Sequence, residues 1–163
     1  MVGLDALMAE HPLFAGLDGR ALTLMAGCAR NLPFKAGSYL LHEGDPADQF
    51  YLIRRGSVAL ECFAPGRGAV IFETLKKGDL LGLSWLAPPY RSQFDARVLE
   101  PLQALVFDAA CLRNKCEADH HLGYELMKRF VPAMVRRLQA ARIRMMDLYG
   151  NPAVGGLATG SGR

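Results

Sequence analysis

The sequence predicts an α+β fold, in which a small antiparallel β-barrel or sandwich is flanked by helices. Two observations carry this prediction. Short apolar strands recur about every 10 residues between residues 38 and 107, and glycine-containing turns separate them. Beyond residue 119 the apolar residues instead follow a 3- and 4-residue rhythm, which is typical of one long amphipathic helix.

The N-terminal region is predicted to be helical. Pro12 suits the first helical position of a turn that begins at His11. Asp18 is a candidate N-cap for a helix from about Gly19 to Cys28, because its carboxylate can accept from a free backbone N–H of the first turn.

The central region is predicted to contain five strands. Glycine is expected at the turns between them because it adopts positive φ without steric cost, and Gly44, Gly56 and Gly78 are such positions. The predicted strands are Ser38–Leu41, Gln49–Arg54, Ser57–Phe63, Ala69–Leu75 and Gln103–Phe107.

The C-terminal region is predicted to hold two helices. Asp108 can cap a short helix that begins at Ala109, and Asp119 can cap a long one that runs to about Tyr149. Pro132 lies inside the long helix and is expected to kink it, since proline removes a backbone donor.

These patterns divide the chain into four segments. They are an N-terminal extension over residues 1–11, the strand-rich domain with short flanking helices over 12–118, the long helix over 119–150, and a tail over 151–163. The tail consists mostly of Gly, Ala, Ser and Thr, so we expect it to be disordered.

Composition limits where the protein works and what it contacts. The formal net charge of +3 neither requires nor excludes a nucleic-acid partner. No apolar run approaches the roughly 20 residues of a membrane helix, and the N-terminus lacks a secretory signal. Four scattered cysteines favour free thiols in a reducing compartment over a disulfide framework, so we expect a cytoplasmic protein. These are Cys28, Cys62, Cys111 and Cys116.

Several short motifs extend the prediction to a family. Four of them follow one another along the chain: Glu43-Gly44-Asp45, Phe50-Tyr51-Leu52-Ile53, Gly56-Ser57-Val58 and Gly78-Asp79-Leu80-Leu81-Gly82. Together, over about residues 12–108, they resemble the cyclic-nucleotide-binding domains of the Crp/Fnr type. The resemblance implies an antiparallel β-roll, a jelly-roll-like double-stranded β-helix, with an N-terminal helix and a long C-terminal helix. It also implies a sensor rather than a catalyst.

The resemblance also implies a ligand site, the phosphate-binding cassette. In the family, backbone N–H groups and an arginine neutralise a cyclic phosphate, and a glutamate accepts from the ribose 2′-hydroxyl. Here Leu83 occupies the expected glutamate position, and Ser92 occupies the arginine position in an ungapped alignment. The candidate ligand-binding residues are Gly82, Leu83, Ser84, Trp85, Arg91, Ser92 and Gln93.

The departures at Leu83 and Ser92 weaken the inference of a cyclic nucleotide, and the cofactor stays open between a cyclic nucleotide, another small ligand and none. Arg91 lies one position from the expected arginine and can replace it only if the loop shifts. Two further residues allow two interpretations each. Trp85 either stacks on a planar ligand or fills the core, and Arg97 either contacts an anion or pairs with Asp95 or Glu100.

Metal and catalytic sites are not expected. Cys111, Cys116, His120 and His121 lie close in sequence, but cysteines five residues apart on a helix point in different directions. No nucleophile–base arrangement, phosphate loop or zinc-protease motif is present, so an enzyme is not predicted.

The long helix is predicted to be a homodimer interface, because it is longer than a small β-roll can cover and remains apolar on one side. The interface residues are Met134, Val135, Leu138 and Met145. Two functions stay open. One is a stand-alone sensor that acts through a protein partner. The other is a Crp/Fnr-type DNA-binding regulator, either truncated before its helix-turn-helix or using the basic helix end, although nucleic acid is not expected from this chain alone. The basic residues there are Arg136, Arg137, Arg142 and Arg144.

Overall fold

The computed structural model describes residues 3–150, so the predicted tail over 151–163 lies outside the described residues. The chain divides into two compact units, one ending at Gly123 and the other beginning at Tyr124. The helices are α1 (Leu4–Ala9), α2 (Gly19–Ala26), α3 (Ala109–Ala118) and α4 (His120–Gly150), with 3₁₀ turns at Pro12–Phe14 and Leu83–Leu86. The strands are β1 (Ala29–Phe34), β2 (Tyr39–Leu41), β3 (Gln49–Ala64), β4 (Gly68–Leu75), β5 (Leu80–Leu81) and β6 (Asp95–Asp108).

The six strands form one antiparallel sheet in the order β1-β6-β3-β4, with β2 pairing with β6 and β5 with β3. Strands β3 and β6 are paired from Gln49↔Asp108 to Glu61↔Asp95, and three register shifts bend the ladder between its ends. The predicted fold class, an antiparallel β-roll with helices at both ends, is confirmed.

A single strand, β3, replaces the two strands predicted on either side of Gly56. Gly56 has a φ of 89°, as expected of a turn glycine, but β3 continues through it because β6 supplies partners on both sides. A Cβ at this position would lie 2.5 Å from the carbonyl oxygen of Pro101. Glycine is therefore needed here for close approach of two strands within a bulge.

Four elements were missed or shortened by the sequence prediction. Helix α1 and strands β1 and β5 were not predicted, and β6 begins at Asp95 rather than at Gln103. Strand β1 contains Pro33, which argues against a strand unless it lies at an edge, and β1 is an edge strand of the sheet.

The predicted helix caps are confirmed. The carboxylate of Asp18 accepts from the backbone N–H of Ala21 at 2.7 Å, and that of Asp108 accepts from Cys111 at 2.7 Å. Asp119 accepts from Leu122 at 3.3 Å, at the start of α4. Helix α4 continues through Pro132 to Gly150. No helix among residues 3–150 combines the length and apolarity that crossing a bilayer requires.

The roll buries apolar side chains on both faces of its sheet. One face carries a cluster that includes Tyr51, Leu60 and Val98. The other face carries a stack of aromatic rings in which Phe50 lies 4.5 Å from Phe107 between ring centroids, with the planes 4° apart. Trp85 of the predicted cassette stacks on the same Phe50 ring.

Cys28 and Cys111 form a disulfide, so the prediction of free thiols throughout was wrong. The two cysteines are 83 residues apart in sequence, but β1 pairs with β6 and places Ala29 opposite Phe107. Their Cα atoms are consequently 5.7 Å apart, within the range that a disulfide spans. Cys62 and Cys116 are free thiols.

Candidate functional site

The cassette begins where β5 ends. Gly82 has a φ of 88°, in the left-handed region, and leads into the 3₁₀ turn Leu83–Leu86. A Cβ at Gly82 would lie 3.0 Å from the carbonyl oxygen of Gln49, so a side chain would crowd the backbone of β3. Leu83 and Ser84 are half-buried in the first part of the turn. Because residue 83 is a leucine, it offers no carboxylate that could accept a hydrogen bond from a sugar hydroxyl.

Trp85 lies in the core of the roll. Its side chain is 2% exposed, and its ring stacks on Phe50 with 5.0 Å between the centroids and 8° between the planes. The guanidinium of Arg113 donates to the backbone carbonyl of Trp85 at 2.9 Å and lies 4.7 Å from the ring centroid of Tyr90. Arg113 was missed by the sequence analysis, because a lone arginine in a helix gives no sign of a distant partner.

Truncating Trp85 is expected to destabilise the protein much more than truncating Tyr90. Trp85→Ala removes a buried ring from an aromatic stack and should lower the free energy of unfolding by about 3–5 kcal/mol. Tyr90 is 39% exposed, so Tyr90→Ala should cost about 1 kcal/mol. Urea denaturation followed by circular dichroism measures both. Equal losses for the two variants would contradict this assignment of Trp85 to the core.

The loop after the cassette is held against the turn between β2 and β3. The backbone N–H of Ser92 donates to the carbonyl of Asp45 at 2.9 Å, and Gly44 donates back to Ser92 at 2.9 Å. Tyr90 has a φ of 55°, an uncommon conformation for a residue with a side chain. These backbone hydrogen bonds hold the loop in place and thereby fix the position of the Arg91 backbone.

The three predicted polar residues of this loop are each engaged locally. Arg91 donates from Nη1 to the carbonyl oxygen of Gly44 at 2.7 Å. Ser92 is buried and its hydroxyl donates to the carbonyl of Phe94 at 2.8 Å. Gln93 is exposed and donates to the carbonyl of Arg91 at 3.3 Å.

Arg97 pairs with Glu61 on β3, so the predicted pairing with Asp95 or Glu100 was wrong. The Nε of Arg97 donates to the Glu61 carboxylate at 2.7 Å, and Glu61 is only 2% exposed. This hydrogen bond, with the carboxylate charge, raises the pKa of Arg97. The two expected partners are occupied: Asp95 accepts from the backbone of Glu43 at 2.7 Å, and Glu100 accepts from the hydroxyl of Ser57 at 2.9 Å.

A cavity of about 260 Å³ adjoins the turn that holds this loop. Asp45 and Asp48 contribute to its wall, together with the buried ring of Tyr51. The Tyr51 hydroxyl donates to the carbonyl of Leu40 at 3.2 Å, and burial raises the pKa of this tyrosine. Two acidic residues in the wall disfavour an anionic ligand in this cavity.

Metal ligands are not brought together in the part of the chain that the structure describes, where no group of three or more His, Cys, Asp or Glu side chains could hold an ion. Among the four residues considered from the sequence, Cys111 is bound to Cys28 and Cys116 is a half-buried free thiol. Burial, reinforced by Asp119 and Glu117, raises the pKa of Cys116.

The residues predicted for a dimer interface lie along α4. Val135 is 46% exposed, Leu138 52% and Met145 56%, while Met134 is half-buried. Five apolar residues of α4, together called the seam, are spaced at alternating 3- and 4-residue intervals: Val131, Met134, Leu138, Ala141 and Met145. That spacing repeats every seven residues and is typical of a two-stranded coiled-coil seam.

The chain resembles known proteins over most of its length. Residues 31–119, just over half of the chain, match the family model for the cyclic nucleotide-binding domain. A cAMP-dependent protein kinase regulatory subunit from Schizosaccharomyces pombe is 35% identical over 78 residues, covering 48% of this chain and 18% of that protein. The chain thus spans less than a fifth of that relative.

Two other proteins match 85% or more of the chain. A CRP-like cAMP-activated global transcriptional regulator from Mycobacterium tuberculosis is 23% identical over 155 residues, covering 95% of this chain and 67% of that protein. A crystal structure of a protein described as cyclic nucleotide-binding, from Geobacter metallireducens, superposes with a TM-score of 0.72 and 28% identity. It covers 85% of this chain and 99% of that chain.

Proposed function

Since this chain belongs to the cyclic nucleotide-binding domain family, we propose that it is a non-enzymatic sensor domain whose cassette does not hold cyclic AMP in the usual way. The single observation that carries the proposal is the engagement of both candidate arginines. Arg91 is bound to the carbonyl of Gly44, and Arg97 is bound to the carboxylate of Glu61. Both guanidinium groups therefore already have acceptors within the protein.

The residue at the start of the cassette supports the same conclusion. Leu83 cannot accept a hydrogen bond from a ribose hydroxyl, and an unpaired hydroxyl in a closed site costs about 1–3 kcal/mol. A missing charge-assisted contact to the phosphate costs a similar amount. The two losses together weaken cyclic AMP binding by a factor of roughly 10²–10⁴.

The ligand that fits the site better is less anionic and more apolar than a cyclic nucleotide. Leu83 places an apolar side chain where the resemblance implies a carboxylate. The cavity beside the turn that holds the loop has Asp45 and Asp48 in its wall, which is unfavourable for a phosphate there. Native mass spectrometry of the purified protein, before and after denaturation, is the direct search for such a molecule.

Cyclic AMP is expected to bind weakly or not at all. Isothermal calorimetry on the native protein should show no saturable heat at micromolar concentrations. A submicromolar dissociation constant would overturn the proposed cassette chemistry. If weak binding is found, Arg91→Ala should leave the affinity unchanged, because Arg91 is bound to Gly44. A loss of binding in Arg91→Ala would instead place Arg91 at the phosphate.

We propose that the protein forms a homodimer through α4 and that this dimer transmits the ligand signal to a protein partner in the cytoplasm. The exposed seam on α4 supports this route, because an apolar stripe of that length is unusual on a surface without a partner.

A DNA-binding regulator is the second candidate, favoured by the match to the mycobacterial transcriptional regulator over 95% of this chain. In that case this chain would contact DNA phosphates through the basic residues of α4, which are Arg136, Arg137, Arg142 and Arg144. Fluorescence anisotropy with duplex DNA across a salt series separates the two functions. A steep loss of affinity with salt supports phosphate contacts, whereas no binding at low salt supports the sensor.

A further inference from the structure

The Cys28–Cys111 disulfide joins the segment between α2 and β1 to helix α3. Cys28 lies between α2 and β1, and Cys111 lies in the first turn of α3. Cys28 is 6% exposed, while Cys111 is half-buried and is therefore the more accessible of the two to a reagent.

Two polar contacts accompany the disulfide between the same elements. The ammonium of Lys115 on α3 donates to the carbonyl oxygen of Leu24 at 2.6 Å, near the C-terminus of α2, where a positive charge is favourable. Arg20 on α2 lies 3.4 Å from the carboxylate of Asp119, the residue between α3 and α4. The disulfide is thus the covalent member of a set of links that fasten α3 to α2.

The two cysteines stay close even without the bond between them. The backbone N–H of Asp108 donates to the carbonyl of Cys28 at 2.8 Å, and the side chain of Asp108 caps Cys111 at 2.7 Å. The pairing of β1 with β6 holds both ends of this arrangement. Reduction would therefore leave two neighbouring thiols in a folded protein, which can be oxidised again.

We propose that Cys28 and Cys111 form a reversible redox pair that fastens α3 to α2 when oxidised and releases it when reduced. The oxidant is a low-molecular-weight disulfide of the glutathione class, and the reductant is a dithiol. The controlled element is the corner between α3 and α4, because α3 leads through Asp119 directly into α4. This inference does not depend on which ligand the cassette takes.

The exchange balances as a two-electron reaction. The thiol of Cys111 loses its proton to solvent, and the resulting thiolate attacks one sulfur of the oxidant, forming a mixed disulfide and releasing one thiol. Cys28 then loses its proton and attacks the Cys111 sulfur, which closes the internal disulfide and releases the second thiol. A dithiol reverses the sequence: it attacks Cys111, Cys28 leaves, and the second sulfur of the dithiol resolves the mixed disulfide.

The other two thiols supply matched controls. Cys116 is on the same helix, five residues after Cys111, and its thiol is half-buried. Cys62 is exposed on β3, away from the α2–α3 contact. Neither is bonded in the structure, so Cys62→Ser and Cys116→Ser should leave the redox behaviour unchanged.

The test is a titration of the native protein in glutathione buffers that range from mostly oxidised to mostly reduced. Mass spectrometry after alkylation gives the fraction of the Cys28–Cys111 disulfide, and hydrogen exchange gives the protection of the α3 amides. We expect reversible interconversion without denaturant and a rise of about tenfold or more in α3 exchange on reduction. In the Cys28→Ser and Cys111→Ser variants, the α3 amides should exchange as fast as in the reduced protein in every glutathione buffer.

Three results would each overturn the proposal. One is protein that contains no Cys28–Cys111 disulfide after equilibration with oxidised glutathione. Another is a disulfide that native protein retains in excess dithiothreitol, which would make the bond purely structural. The third is equal α3 protection in the oxidised and reduced proteins, which would show that the polar contacts of Lys115 and Arg20 hold the helix without it.

Discussion

The affinity for cyclic AMP is expected to be roughly a thousandfold higher in the triple variant that combines Leu83→Glu, Ser92→Arg and Gln93→Ala. The glutamate would accept from the ribose hydroxyl, the arginine would pair with the cyclic phosphate, and the alanine would remove a longer side chain beside it. Two regained polar contacts of about 2 kcal/mol each account for the increase. Calorimetry with cyclic AMP on this variant and on the native chain measures it directly.

A control variant of similar bulk separates chemistry from packing. Leu83→Met, Ser92→Met, Gln93→Ala fills similar space without the carboxylate or the guanidinium, so it should bind cyclic AMP no better than the native chain. Thermal unfolding shows whether each variant is folded, which matters because Ser92 is 5% exposed and donates to Phe94. A folded triple variant with unchanged affinity would show that the loss of cyclic AMP binding does not originate at these positions.

Leu138→Glu on α4 should convert a homodimer into a monomer. Leu138 lies in the middle of the seam and is 52% exposed, so in a two-fold pair of helices each substitution would bury a carboxylate opposite its symmetry mate. The expected weakening of the dimer is at least about a hundredfold. Sedimentation of the native chain should give about twice the 17.8 kDa monomer mass, and the variant should sediment as the monomer.

The neighbouring substitution Gln139→Glu provides the matched control. It adds the same charge one residue further along α4, outside the seam, and Gln139 is exposed. This variant should remain dimeric. A native protein that sediments as a monomer at tens of micromolar, or a Gln139→Glu variant that dissociates as readily as Leu138→Glu, would exclude the proposed interface.

Local features of the fold could be predicted because they depend on neighbouring residues. The caps at Asp18, Asp108 and Asp119 need only a carboxylate next to free backbone N–H groups. The turns at Gly44 and Gly78 need positive φ, which they adopt at 85° and 94°. The family resemblance rested on the same kind of short motif, and the match over residues 31–119 confirmed it.

Strands were predicted less accurately, because a strand depends on its partner. Gly56 indicated a turn in the sequence, yet β3 passes through it since β6 offers hydrogen bonds on either side. Strand β1 was missed for the same reason: its proline is acceptable only because β1 lies at the edge of the sheet.

The sequence by itself determined the antiparallel roll, helices α2, α3 and α4, and the absence of a glutamate at position 83. Only the tertiary structure decided how the site residues are used: Arg91 contacts Gly44, Arg97 contacts Glu61, and Trp85 stacks on Phe50. The tertiary structure also brought Cys28 to Cys111 across 83 residues. Each of these contacts joins residues far apart in the chain, and their partners are set by strand register, which no short stretch of sequence encodes.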